Sequence, residues 1–179
     1  MVFKGVSMSN IKQTFTIIQN NELLDGNYVL SKDSSLMYSI PAYGSFQLLL
    51  GNGYHMSLGI DRETGKCLTF DTLLDAITFE LFSSDLCDIH KATLIFKCDS
   101  LKNQEGDHYI PFVEKKYYDD KNLILAFGDI NSEGIFIEFS NNTYAKLDGE
   151  RLTAVYIRVP KNVIDKIKAK HKTRFKHFW

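Results

Sequence analysis

Cys87 and His90 are spaced C-x-x-H, and Cys98 and His108 follow on the same stretch of chain. Thiolate and imidazole are the ligands zinc prefers, but a zinc site needs three or four of them converging on a tetrahedron. A thiol within hydrogen-bond reach of an imidazole would instead be an activated nucleophile. The spacing fixes neither arrangement, because Cys98 and His108 fall on separate expected strands. The ordinary state of such residues is a buried thiol or a surface imidazole. The chain has no G-x-x-x-x-G-K-[ST] loop, G-x-G-x-x-G, H-E-x-x-H, C-x-x-C or G-x-S-x-G. Asp119-Asp120 and Asp61 with Glu63 are carboxylate pairs suited to acid–base work in a cleft. Both lie in expected turns, where Asp is favoured for bonding its own backbone. The expectation is therefore a non-catalytic protein with no metal and no cofactor. A small cytosolic enzyme using Cys87, His90 or His108 is the alternative.

The segment HYIPFVEKKYYDD, residues 108–120, is the one most suited to interaction. It sets Tyr109, Phe112, Tyr117 and Tyr118 among mixed charge, and tyrosine is enriched at protein interfaces. Pro111 removes a ladder donor and marks an edge strand, to which a partner can add a strand through backbone bonds. Charge is divided unevenly. Residues 161–179 carry seven Lys/Arg against Asp165, whereas the other 160 residues carry 14 basic and 21 acidic side chains. An acidic body steers cationic partners. The basic tail reads as a solvated terminal helix; as a phosphate-contacting arm it would make the chain nucleic-acid-associated, a second alternative. Direct nucleic-acid binding is not the expectation, since no second basic patch or aromatic platform accompanies the tail.

The elements that must position these residues are mostly strands. Period-2 alternation gives strands over 27–30, 35–40, 45–50, 54–60 and 66–70, then over 93–97, 108–113, 122–127, 135–139, 144–147 and 152–159. Asn52-Gly53, Thr64-Gly65 and Asp148-Gly149 supply turn chemistry between them. Helical spacing is expected over 9–24, over 72–82 with Thr72 as cap, and near the C-terminus, where Asn162 caps a stripe of Val163, Ile164, Ile167 and His171. LLLGNGYHMSL (48–58) aligns with IEFSNNTYAKL (137–147), pairing Asn52 with Asn141 and Leu58 with Leu147. The fold class is thus α+β, mainly antiparallel sheet with a few helices including a C-terminal one; a duplicated meander or half-barrel is one arrangement it allows.

The 179 residues, 44% apolar and 24% charged, suit a single globular domain over 1–179, with 1–7 flexible and 161–179 a basic helix or tail. Three cysteines cannot all pair and suit a reducing, cytoplasmic setting. The longest apolar run, 123–127, is far too short to span a bilayer, and MVFKGVSMSN lacks the apolar region of an export signal, whether Met1 or Met8 is the start.

The stretches MSNIKQTFTIIQNNELLDGNYVL (8–30) and SLMYSIPAYGSFQLLLGNGYHMSLGID (35–61) resemble bacterial immunity proteins of contact-dependent growth inhibition systems, nearest the group paired with nuclease toxins. The resemblance implies a cytoplasmic, non-catalytic inhibitor of a cognate toxin's C-terminal domain, in which a toxin β-hairpin extends the inhibitor's sheet. It lies in length and strand order and brings no site motif. The contact residues are therefore chosen by chemistry: Glu63, Asp107, Glu114, Asp119 and Asp120 to meet toxin lysines, with Tyr117 and Tyr118 as buried anchors.

Overall fold

The computed structural model describes residues 13–19, 23–32, 35–39, 45–50, 56–73, 78–83, 86–98, 108–110 and 115–175, with 13, 45–50, 73, 98, 108–110 and 171–175 described through their backbone. The expectations placed on 1–7, on Asn52-Gly53 and on the His171 side chain lie outside the described residues. In chain order the strands are β1 (Gln13–Ile18), β2 (Tyr28–Leu30), β3 (Ser35–Tyr38), β4 (Ser45–Leu50), β5 (Met56–Asp61), β6 (Cys67–Leu73), β7 (Glu80–Leu81) and β8 (Ile89–Lys91). There follow β9 (Thr93–Cys98), β10 (His108–Ile110), β11 (Lys115–Tyr118), β12 (Asn122–Ala126), β13 (Ile135–Ser140), β14 (Thr143–Asp148), β15 (Arg151–Arg158) and the helix α1 (Lys161–Phe175).

Two stretches of chain fold by the same plan. Strands β2 to β6 lie in the order β4-β5-β6-β3-β2, and strands β11 to β15 lie in the order β13-β14-β15-β12-β11. Each unit is a hairpin followed by a three-stranded meander whose last strand returns beside the hairpin, a Greek-key connection. The aligned segments 48–58 and 137–147 are the first hairpins of the two meanders, so the duplicated-meander arrangement is present in the topology. The second turn of each meander uses a glycine at positive φ, Gly65 at +75° and Gly149 at +58°. Asn142, at φ +64°, closes the tight β13–β14 turn. Each meander also carries a register shift near that second turn, between Gly59 and Ile60 and between Lys146 and Leu147.

The segment joining the units completes both sheets. β10 runs parallel to β4 at the edge of the six-stranded sheet, while β8 and β7 run parallel to β13 and β11 at the two edges of the seven-stranded sheet. β9 pairs with β1 in a separate antiparallel ladder. Both large sheets are open; neither closes into a barrel.

One core runs between the sheets. Leu58, Ile60 and Phe70 from one sheet, Leu123, Leu125, Val155 and Ile157 from the other, and Phe96 from the ladder are all buried in it. The intervening residues Ile124, Ala126, Tyr144, Ala154 and Tyr156 form a second buried cluster on the opposite face of the seven-stranded sheet, beneath Phe82, Leu86 and Ile130. β12 therefore has two buried faces, which is why its sequence is an unbroken apolar run rather than an alternation. Polar bonds tie the sheets together at one end. The Tyr28 hydroxyl lies 2.7 Å from Thr143 Oγ1, Asn141 Nδ2 donates to the Gly26 carbonyl at 3.0 Å, and the Ser140 hydroxyl donates to the Leu68 carbonyl. Gly26 is required there, since a Cβ would stand 2.4 Å from the Tyr38 ring.

The helix expected over 9–24 is instead strand where it is described. β1 pairs throughout with β9, and the TFTII run of β-branched and aromatic residues suits that ladder. The helix expected over 72–82 is absent where the chain is described, at 72–73 and 78–82; residues 74–77 lie outside the described residues. Thr72 is no cap but a strand residue between Met56 and Leu36, and Glu80–Leu81 is extended beside β11. Ladder partners distant in sequence override the local spacing. The C-terminal helix is present and seats Val163, Ile164 and Ile167 on the core. It begins at Lys161, with the Pro160 carbonyl accepting from Val163 N at 3.0 Å, so Asn162 lies inside the first turn and is not the cap.

Candidate partner-binding surface

The β11–β12 hairpin gathers four of the seven expected contact residues, Tyr117, Tyr118, Asp119 and Asp120. Tyr117 and Tyr118 are consecutive strand residues and so face opposite ways. Tyr118 turns into the core at 6% exposure, whereas Tyr117 is half-buried on the outer face with its ring 4.9 Å from that of Phe82. Only Tyr117 thus presents surface to a partner, and Tyr118 is a core residue. Asp119 closes the turn. Its Oδ1 accepts from Lys121 N at 2.7 Å and Asn122 N at 2.6 Å, and its Oδ2 accepts from Asn122 Nδ2 at 2.8 Å. Those bonds make its carboxylate part of the turn's framework rather than a group held out for a partner. The Asn122 Oδ1 beyond it is buried and has no hydrogen-bond partner among the described residues.

Asp120 is fully exposed and accepts from Lys168 Nζ at 2.7 Å, linking the hairpin to α1. The Lys168 ammonium holds the Asp120 carboxyl below the usual range, and Asp120 in turn raises the Lys168 pKa. Lys161 pairs within the helix with Asp165 at 2.6 Å. Two of the tail's cations therefore serve the protein's own carboxylates, as expected of a solvated terminal helix. Arg158 stands with its guanidinium 5.4 Å from the Tyr144 ring, and together with Asp120, Lys121 and Lys168 lines a shallow cleft of about 440 Å³.

Glu63 lies apart, in the β5–β6 turn of the other sheet, where its backbone N–H donates to Asp61 Oδ1 at 3.1 Å. Asp61 also accepts the Thr64 hydroxyl and amide, and these bonds hold its carboxyl below the usual range. Asp107 and Glu114 are outside the described residues. Of the strand expected at 108–113, 108–110 is described as β10, which has β4 on one side and no strand on the other among the described residues; Pro111, Phe112 and Val113 lie outside them. A second edge adjoins the hairpin, where β7 carries Leu81 at 70% exposure.

The cysteines and histidines are dispersed. Cys87 and His90 are exposed, with His90 on β8 of the seven-stranded sheet; Cys98 ends β9 in the separate ladder, and His108 lies on β10 of the six-stranded sheet. Among the described residues no group of three or more His, Cys, Asp or Glu is placed to hold a metal ion. Cys67 is buried, and burial pushes its thiol well above the ordinary range. Among the described residues no helix is long and apolar enough to cross a membrane.

Sequence reasoning missed a second feature, on the outer face of the seven-stranded sheet. Lys146, in the strand TYAKLD, is 5% exposed, and its Nζ donates to the carbonyls of Ile130 at 2.7 Å and Ser132 at 2.6 Å. Lys146 alternates with the core residues Ala145 and Leu147, so the sequence pattern alone reads it as a solvent-facing strand residue and gives no signal of its burial. No protein-family model matches the chain, and no curated protein is significantly similar to it in sequence.

Proposed function

We propose that the chain is a non-catalytic immunity protein that binds and neutralises the C-terminal domain of a cognate toxin, a nuclease, in the cytoplasm. The observation that carries the reading is β10's place at the end of the six-stranded sheet among the described residues, in the segment that the sequence marks for interaction. Its free side offers backbone donors and acceptors to an added strand, and such pairing needs no side-chain motif. The toxin hairpin proposed to dock there would bring lysines toward carboxylates, with Asp120 and Glu63 the exposed ones among the described candidates. Long-range charge attraction would speed association and make it sensitive to salt.

The test is co-expression with the C-terminal domain of any toxin encoded immediately upstream, followed by pull-down and a growth assay. A one-to-one complex that restores growth supports the reading. Tyr109→Pro should then weaken the complex, with a melting curve of the free variant reporting whether the β10–β4 ladder survives. Failure to bind or protect against that toxin, alongside turnover abolished by Cys87→Ser or His90→Ala, would favour the enzyme alternative.

A further inference from the structure

We propose that residues 129–134, which join β12 to β13, form a strap that swings off the outer face of the seven-stranded sheet as one body, with Lys146 as its latch. Opening lifts Ile130 out of the buried cluster it shares with Phe136, Ala154 and Tyr156, while both sheets stay folded. The device is separate from the β10 edge and does not depend on toxin binding.

Bonds within the strap make it a single body. Asn131 N donates to Asp129 Oδ1 at 2.9 Å, while Ser132 N and Oγ donate to the Asp129 carbonyl at 3.2 and 2.8 Å. The chain on either side is held to the sheet. Phe127 N donates to the Thr153 carbonyl at 2.7 Å, so the root of the strap is Gly128. At the far end Gly134 packs against β14, where a Cβ would stand 2.7 Å from the Leu147 carbonyl oxygen.

The latch comes from the sheet side. Lys146 Nζ donates to the Ile130 carbonyl at 2.7 Å and to the Ser132 carbonyl at 2.6 Å, gripping the strap at two points. Bonds from a charged donor are strong ones, and these satisfy two carbonyls of the strap. Against them stands the cost of keeping an ammonium out of water at a buried position. Release breaks two bonds but rehydrates the charge, and it leaves the core between the two sheets untouched. Opening of that kind is local and needs less free energy than unfolding of the whole chain.

The reporter is the thiol introduced by Ala154→Cys. Ala154 is buried in the cluster of Ile130 and is the ladder partner of Lys146. Cys67, buried in the main core, reacts through global unfolding and is the internal reference. In the full chain, iodoacetamide should label position 154 at least ten-fold faster than Cys67, read by peptide mass spectrometry. Low urea should accelerate labelling of Cys67 and leave that of position 154 nearly unchanged. Lys146→Met turns a methyl group toward the two carbonyls and should raise the ratio of the two rates more than ten-fold. Gly128→Ala restricts the backbone at the root, where the nearest atoms to an added Cβ lie 3.7 Å away or more, and should lower the ratio about three-fold. If Lys146→Met fails to fold, Gly128→Ala decides alone. Equal labelling of the two positions with the same urea dependence, or a ratio that neither variant moves, would overturn the proposal.

Discussion

The bond between the Tyr28 hydroxyl and Thr143 Oγ1 joins the two sheets through side chains that are 3% and 0% exposed, 2.7 Å apart. Tyr28→Phe removes one partner and keeps the ring, including its edge-on contact with Tyr38 at 5.2 Å. The Thr143 hydroxyl is then left in a dry interior, and the Phe70 amide loses the oxygen it faces. Leaving a buried polar group unpaired costs roughly 1–3 kcal/mol, so Tyr28→Phe should destabilise by about 2 kcal/mol. Thr143→Val strands the tyrosine hydroxyl instead and should cost a similar amount. The double variant puts two apolar groups where two polar ones met, and its cost should fall short of the sum by at least ~1 kcal/mol. Urea denaturation at neutral pH reads all four stabilities, provided the denaturant slope stays constant. Additive losses, with a coupling below ~0.5 kcal/mol, would refute the view that this bond holds the sheets together.

Two glycines at positive φ should separate conformational strain from collision. Gly149→Ala meets nothing within 4 Å and should cost ~1 kcal/mol by thermal melting, whereas Gly65→Ala places a Cβ 2.5 Å from the Phe96 carbonyl and should cost ~3 kcal/mol. Burial raises the Asp71 carboxyl's pKa, so its charge costs stability above the folded-state value and the cost disappears as pH falls below the unfolded one. Asp71→Asn keeps an acceptor for Tyr38 N at 3.1 Å and should be the more stable form at pH 7, with the difference shrinking as pH is lowered toward 4. Equal stability–pH profiles for the two forms would count against that account. Asp120 has the opposite sign: its depressed pKa adds stability that is lost as pH falls through the folded value, and in Lys168→Met an NMR titration should return it to the ordinary carboxylate range.

Strand positions were legible because alternation and turn chemistry are local. Ser45–Leu50 has the expected bounds, and Arg151–Arg158 differs by one residue at each end. β1 was not legible, because its Ile and Phe spacing also satisfies a helix and the ladder partner that settles the matter lies at Thr93–Cys98. β7 and β8 are two and three residues long, too short for any periodicity to register. At the candidate surface the composition of the β11–β12 hairpin was readable but its geometry was not. One of the two adjacent tyrosines had to face inward, and only the sheet's orientation says that it is Tyr118. Asp119 looked like interface charge, yet its oxygens are committed to the turn. Lys146 went unnoticed because a charged residue in a strand ordinarily points to solvent.

The joining segment has a consequence for how the chain reaches this form. Each meander is built from neighbours in sequence and can assemble by itself at small loop-closure cost. β7, β8 and β10 cannot, since β7 and β8 need the second unit as template while β10 needs the first. These three strands can pair only once the strands that template them are in place. A single cut within the joining segment would leave two halves still interlaced, each sheet holding an edge strand that begins on the far side of the cut.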